Sequence, residues 1–229
     1  MSDRPLSILV GCERSGVVRD AFAALGYRAA SCDLAPSQTP GEHFEEDLLT
    51  ILRRERDNFD ALIVHPPCTY LSSSGLHWNT RRAGRGELTD KALAFVREIL
   101  AIWGDKPYCL ENPVGRIGTA IRPSDQSIQP HQFGHDASKR TCLWLSGLPK
   151  LRPTEFVPGR VVVWNEKVVT RWANQTDGGQ NRLGPSDDRA DERSRTYEGI
   201  ARAMADQWGP YLLAAAARRA EYLETALRG

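Results

Sequence analysis

The chain is poor in the residues that hold small proteins together without a core. Only five cysteines occur in 229 residues, at 12, 32, 68, 109 and 142. Their number is odd, the gaps are long and no Cys-x-x-Cys occurs, which excludes a disulfide framework and a zinc ribbon, so no metal is expected. No apolar run approaches the roughly 20 residues that cross a bilayer. Met1 to Pro5 is polar and Leu6 to Val10 is too short for a signal peptide, so a cytoplasmic protein with no membrane partner is expected. Charge of one sign is also missing. The net charge is +1, so no global basic field marks a nucleic-acid binder. The positive charge is mostly arginine, however, whose planar fork suits phosphates and base edges. There are no internal repeats. With 41% hydrophobic and 26% charged residues, the chain has the means for one α/β domain with a sizeable core.

The hydrophobic patterning alternates. Leu6–Val10 reads as a strand running into Gly11, followed by a helical segment from Gly16 to Leu25 that Gly26 closes. Arg28–Cys32 is a second strand ending at Asp33, Asp47–Arg54 a short helix, and Ala61–Val64 a third buried strand stopped by Pro66 and Pro67. Thr89–Trp103 is the clearest amphipathic helix, with Thr89 as its cap. Tyr108–Leu110 is a strand ending at Glu111, and Thr141–Leu145 is another. This order predicts a doubly wound, mostly parallel sheet. Residues 151–195 break the pattern, with a strand at Val161–Val163 and a polar stretch, Asn174 to Asp191, predicted as a long loop. Helical periodicity returns from Arg195, with Ile200, Met204 and Trp208, and a last helix runs from Ala214 to Leu227.

Ligands of open α/β sheets sit at the carboxyl ends of the strands, and the unusual residues of the first half fall there. Gly11-Cys12-Glu13-Arg14-Ser15-Gly16 lets backbone approach a ligand before a helix starts. It is neither a dinucleotide fingerprint nor a P-loop. Asp33 is placed to accept bonds from ribose hydroxyls. Asp47 is placed to accept one from an adenine amino group, or simply to start a helix. The sharpest signal is Val64-His65-Pro66-Pro67-Cys68-Thr69-Tyr70, where two prolines force a rigid exit and fix where the next side chain points. A cysteine held there is positioned rather than merely packed. Glu111, in Leu110-Glu111-Asn112-Pro113, is a carboxylate at a buried strand end and needs a partner, either a bound base or a structural cation. Between them, 76–86 is a basic, aromatic-bearing loop, a candidate cover for a polyanionic substrate or a solvated linker.

Taken in order, Gly11–Gly16, Asp33, Asp47, Pro66-Pro67-Cys68 and Glu111-Asn112-Pro113 resemble the motifs of the DNA cytosine-5 methyltransferases, and especially short phage or prophage members. The resemblance covers roughly residues 6–148. It implies a Rossmann-like methyltransferase fold and S-adenosylmethionine as cofactor. The cofactor would be held by Gly11, Cys12, Glu13, Ser15 and Gly16 from the first turn, with Asp33, Leu34, Asp47 and Pro66. It implies Cys68 as the nucleophile that adds to carbon 6 of cytosine, Glu111 on the ring-nitrogen 3 and amino edge, and Arg140 as the supporting base-binding arginine. Pro67, Thr69, Asn112 and Pro113 would line the substrate, with Arg81, Arg82 and Arg85 on phosphates. The partner implied is DNA, duplex or single-stranded, and the protein is expected to be a monomer.

Three features depart from the family pattern. Thr69 stands where the family has glutamine, and the Gln-x-Arg-x-Arg strand is absent in strict form. The segment 151–194 forms a small irregular insertion where a target recognition domain is usual. The resulting organisation is a catalytic core over 1–150, that insertion, and C-terminal helices packing on the core over 195–229. Transfer to an exocyclic amine, C5 modification of RNA or a nucleotide, and an inactive nucleic-acid-binding module remain alternatives on sequence alone.

Overall fold

A computed structural model describes residues 5–76, 79, 81–183 and 195–228. Its centre is a seven-stranded sheet flanked by helices. In chain order the strands are β1 (Ser7–Gly11), β2 (Arg28–Asp33), β3 (Glu42–Glu45), β4 (Ala61–Val64), β5 (Tyr108–Pro113), β6 (Gln126–Ile128) and β7 (Thr141–Ser146). They lie side by side as β3-β2-β1-β4-β5-β7-β6. The first five are mutually parallel, while β7 runs antiparallel to both β5 and β6. The sheet is therefore mostly parallel and compatible with a Rossmann-like fold. Chain progression reverses between β1 and β4, which makes their carboxyl ends the switch point where open sheets bind ligands.

Alternation along the strands builds a core on each face of the sheet. Ile8, Val10 and Ile63 pack with Val18 and Phe22 of helix α1 (Val17–Ala23) and with Ile200, Met204 and Trp208 of the long C-terminal helix α6 (Glu198–Arg228). Leu9, Leu62 and Val64 pack on the other side with α2 (Leu48–Glu55) and α4 (Arg85–Trp103). Each fully buried large apolar side chain contributes about 1.5–3 kcal/mol, and the buried indoles of Trp208 and Trp103 also satisfy their N–H groups. Trp208 Nε1 donates to Pro149 O at 2.9 Å, and Trp103 Nε1 to Pro107 O at 3.0 Å. Two short helices, α3 (Ser73–Leu76) and α5 (Arg116–Ala120), follow the Cys68 turn and β5.

Several elements differ from the sequence reading. Helix α4 starts at Arg85, four residues before the predicted cap, because Thr89 turns inward and donates its hydroxyl to Tyr70 O at 3.0 Å. The two predicted C-terminal helices are one, passing through Pro210 without a break. The strands β3 and β6 and the hairpin strand β9 (Lys167–Arg171) are too short or too polar to show periodicity. The strand β9 pairs with β8 (Arg160–Trp164) through Asn165 and Glu166, both at positive φ (48° and 63°). That backbone matches the right-handed twist of a hairpin. The hairpin module rests on the segment leading into β7. The Trp172 ring stacks on His131 at 4.0 Å, and Ser138 N donates to Asn174 Oδ1 at 2.9 Å. The predicted loop 174–191 is described as far as 183 and is turn-rich, with Gln175 bridging to Asn181; the remainder lies outside the described residues. Among those residues no helix is long and apolar enough to cross a membrane.

Candidate active site

Two loops leave the sheet side by side at the switch point. Gly11 pairs with Val64 across the β1–β4 ladder, and one residue later His65 N donates to Gly11 O at 3.0 Å. The first loop, 12–16, begins with Cys12 at φ 57°, a conformation costly for a residue with a side chain and frequent at functional sites. Glu13 then turns back into the protein. Its carboxylate accepts Val18 N at 2.7 Å and Arg19 N at 3.3 Å, so it satisfies the open N–H groups of α1 rather than facing outward. Ser15 donates to the same carboxylate at 3.3 Å. Gly16 holds the left-handed conformation that starts α1 (φ 74°), with Thr39 and Arg19 packed where a Cβ would be.

At the end of β2, Asp33 Oδ1 accepts Ala35 N at 3.0 Å, and the neighbouring Leu34 is 77% exposed. Asp33 and Leu34 thus present a carboxylate and an apolar side chain beside the 12–16 loop. Asp47 is engaged differently from the adenine-facing role expected of it. It is the N-cap of α2, with Oδ1 accepting Thr50 N at 3.1 Å.

The second loop carries Cys68. Pro66 is buried and Pro67 exposed, and Cys68–Tyr70 forms a single 3-10 turn. Every carbonyl of that turn is taken. Cys68 O accepts Ser72 N at 2.9 Å, Thr69 O accepts the Arg85 guanidinium at 3.1 Å, and Tyr70 O accepts the Thr89 hydroxyl. Arg85 also lies over the Tyr70 ring, 4.9 Å from its centroid. Arg85, expected on phosphates, braces the turn in this structure. Arg81 and Arg82 are exposed, while His77, Trp78 and Thr80 of the same loop lie outside the described residues.

The turn is laced to β5 and its exit. Asn112 Nδ2 donates to Pro66 O at 2.7 Å, Ser73 N to Val114 O at 2.8 Å and Arg116 N to Leu71 O at 2.8 Å. Gly115 sits so close that a Cβ there would lie 1.9 Å from Leu71 O. Glu111 meets His65, with Nδ1 2.9 Å from Oε2 and both side chains nearly buried. Burial pushes the Glu111 carboxyl up, but the His65 hydrogen bond and charge, Lys139 and Thr141 outweigh it and hold the group below the usual carboxylate range. The antiparallel β7 is what delivers these last two, since Thr141 pairs with Pro113. Arg140 was expected to support the bound base. It is exposed, and its Nε donates to Ser127 Oγ at 3.1 Å, so Lys139 is the residue whose charge bears on Glu111.

The chain matches no family model and no curated protein. Its chemistry must therefore be argued from these groups.

The five cysteines form no disulfide and are not equivalent. Burial, then Asp33, Cys32 and Asp47, push the Cys12 thiol far up. Burial and the nearby carboxylates push Cys32 up to about 12. Burial, Glu111 and Asp125 push the Cys109 thiol well up. Those three stay protonated and inert, because the thiolate is the nucleophile. Cys68 stands apart, half-buried at a rigid strand exit. No group of three or more metal-binding side chains occurs among the described residues. Sequence reasoning missed the roles of His65, Lys139 and Gly115. His65 had a visible signal, a histidine directly before the two prolines. Gly115 had none, because its role is a close approach of two backbones distant in sequence.

Proposed function

We propose that this chain is an S-adenosylmethionine-dependent methyltransferase that modifies carbon 5 of cytosine in DNA through a covalent Cys68 adduct at carbon 6. One observation carries the reading: a cysteine on a Pro-Pro turn is tied by the His65–Glu111 and Asn112–Pro66 bonds to a strand that presents a carboxylate. Carbon 5 of cytosine is a poor nucleophile, and a thiolate added to carbon 6 makes it enamine-like. Cys68 is the group for that addition, and Glu111 for the nitrogen-3 and amino edge where electron density develops. The rigid turn and its satisfied carbonyls favour one attack geometry. In duplex DNA the base must leave the stack first.

The cofactor fits the first loop in part. The backbone of 12–16, the Asp33 carboxylate and exposed Leu34 form a donor and acceptor set suited to a nucleoside, and bound there the cofactor supplies an electrophilic methyl group. Glu13 and Asp47 cap helices, which leaves Asp33 as the carboxylate for the ribose. Asp33→Ala is therefore expected to weaken cofactor binding by roughly 1.5–3 kcal/mol, the cost of losing charge-assisted bonds, as read by calorimetry. Unchanged affinity would remove Asp33 from the site.

The reaction is tested by incubating the protein with labelled cofactor and duplex DNA, single-stranded DNA or RNA, then identifying the modified nucleoside by mass. 5-Methylcytosine is the expected product. A methylated exocyclic amine would replace this reading with amino-methyl transfer, and binding without any transfer would make the chain a binding module.

A further inference from the structure

His65 directly follows β4 and meets Glu111, and nothing in the chemistry above uses it. Its side chain is 9% exposed, and Nδ1 is spent on Glu111 at 2.9 Å. Its Nε2 is sealed from solvent with no hydrogen-bond partner among the described residues, as is Oδ1 of the adjacent Asn112. A buried polar atom left unpaired is destabilising, so packing alone does not favour an imidazole here. The pairing also raises a chemical conflict. Nitrogen 3 of an attacked cytosine gains electron density and calls for a proton, yet Glu111, facing His65, Lys139 and Thr141, is held ionised. A second proton-holding group in contact with the carboxylate resolves it.

We infer that His65 is a positioning residue that holds the proton Glu111 lends to ring nitrogen 3 of the target cytosine. This rests on the cytosine-5 reading above. As the Cys68 sulfur bonds carbon 6, the C5=C6 pair shifts to C4=C5 and the C4=N3 pair moves onto nitrogen 3. The Nδ1 proton of the His65 imidazolium passes to the ionised Glu111 carboxylate, which delivers a proton to nitrogen 3 and is left ionised again, with His65 a neutral imidazole. When carbon 5 loses its proton and Cys68 is expelled, the nitrogen-3 proton returns along the same path. Other groups bear on the unit. Lys139 and Thr141 face Glu111 from the approach to β7, Cys109 lies along β5 with Asp125 acting on it, and Cys68 follows in the same turn.

Two measurements test this. His65→Asn keeps an N–H in place of Nδ1, and so the bond to Glu111, but holds no proton that titrates. Adduct formation on 5-fluorocytosine DNA should give a bell-shaped profile in the wild type. Cys68 ionisation sets the acid limb, and loss of the imidazolium proton the alkaline one. His65→Asn should react about tenfold more slowly or worse, with the alkaline limb gone and cofactor affinity unchanged. Wild-type rates and profile in His65→Asn would overturn the inference.

The second readout needs no turnover. In 15N-histidine NMR the His65 signal, assigned by its absence from His65→Asn, should titrate lower in Glu111→Gln, because the imidazolium loses its anionic partner. An unmoved titration overturns the pairing even in an active enzyme. Coupled titration in a protein that modifies no cytosine overturns the proton's destination along with the cytosine-5 reading, and leaves the pair a structural one.

Discussion

Cys68→Ser is expected to abolish covalent capture of DNA containing 5-fluorocytosine while leaving cofactor binding near normal. Fluorine at carbon 5 cannot leave as a proton, so an adduct formed at carbon 6 stays trapped and appears as a protein–DNA species stable to denaturation. Serine preserves the turn, because the bonds that fix it run to backbone carbonyls of residues 66, 68, 69 and 70. What it removes is the thiolate, and loss of a nucleophile of this kind lowers turnover by about 10⁴-fold or more. Of the other cysteines, Cys12, Cys32 and Cys109 are held as thiols by burial and neighbouring carboxylates, and Cys142 is buried within β7. An adduct persisting in Cys68→Ser would clear this residue of the role.

The second large effect comes from a residue with no chemistry of its own. Gly115→Ala should destabilise the protein by about 3 kcal/mol, at the upper end for forced overpacking, and impair adduct formation with it. The backbone at Gly115 is extended (φ 174°), a conformation alanine adopts freely, so the cost is purely one of space. The added carbon would meet Leu71 O at 1.9 Å and Ser72 Cα at 2.8 Å, and neither is the tip of a flexible side chain that could swing aside. Relief requires prising 71–73 away from 114–116, and the Cys68 turn leads directly into the first of these segments. A melt should show a fall of roughly 6–12 °C for a chain of this size. Gly118→Ala is the control. It lies three residues on, inside α5, with nothing within 4 Å of an added Cβ, and should be neutral or slightly stabilising. Equal melting temperatures for the two variants would show that the close contact between 71–73 and 114–116 does not matter.

The sequence made some features legible and hid others, for physical reasons. β1, β4 and the start of β5 were readable because strands buried on both faces are continuous apolar runs with proline or glycine stops. The Pro-Pro-Cys turn was readable because proline restricts the backbone whatever surrounds it. The start of α4 was misplaced because Thr89 looks like a cap and instead serves a tertiary contact to Tyr70. Asp47 was ambiguous between ligand and cap, and the Thr50 N–H bond identifies it as a cap in this structure. Arg85 shows the limit of reading arginine as a phosphate ligand, since a guanidinium beside an open carbonyl is just as well satisfied there. The antiparallel course of β7 left no local trace. It depends on which strand β7 finds, and with it goes the identity of the cation near Glu111.

That course of β7 has a consequence for how faithfully the site is assembled. β5 is bonded on one side to parallel β4 and on the other to antiparallel β7. A one-residue slip of β5 would exchange the faces of Leu110, Glu111 and Asn112, offering a leucine where a carboxylate belongs. Parallel and antiparallel ladders both repeat every two residues, so a one-residue slip breaks the bonds on both edges at once. The strand is keyed from both of its edges. The position of Glu111 is thereby proofread by the hydrogen-bond geometry of the sheet itself, before any ligand arrives.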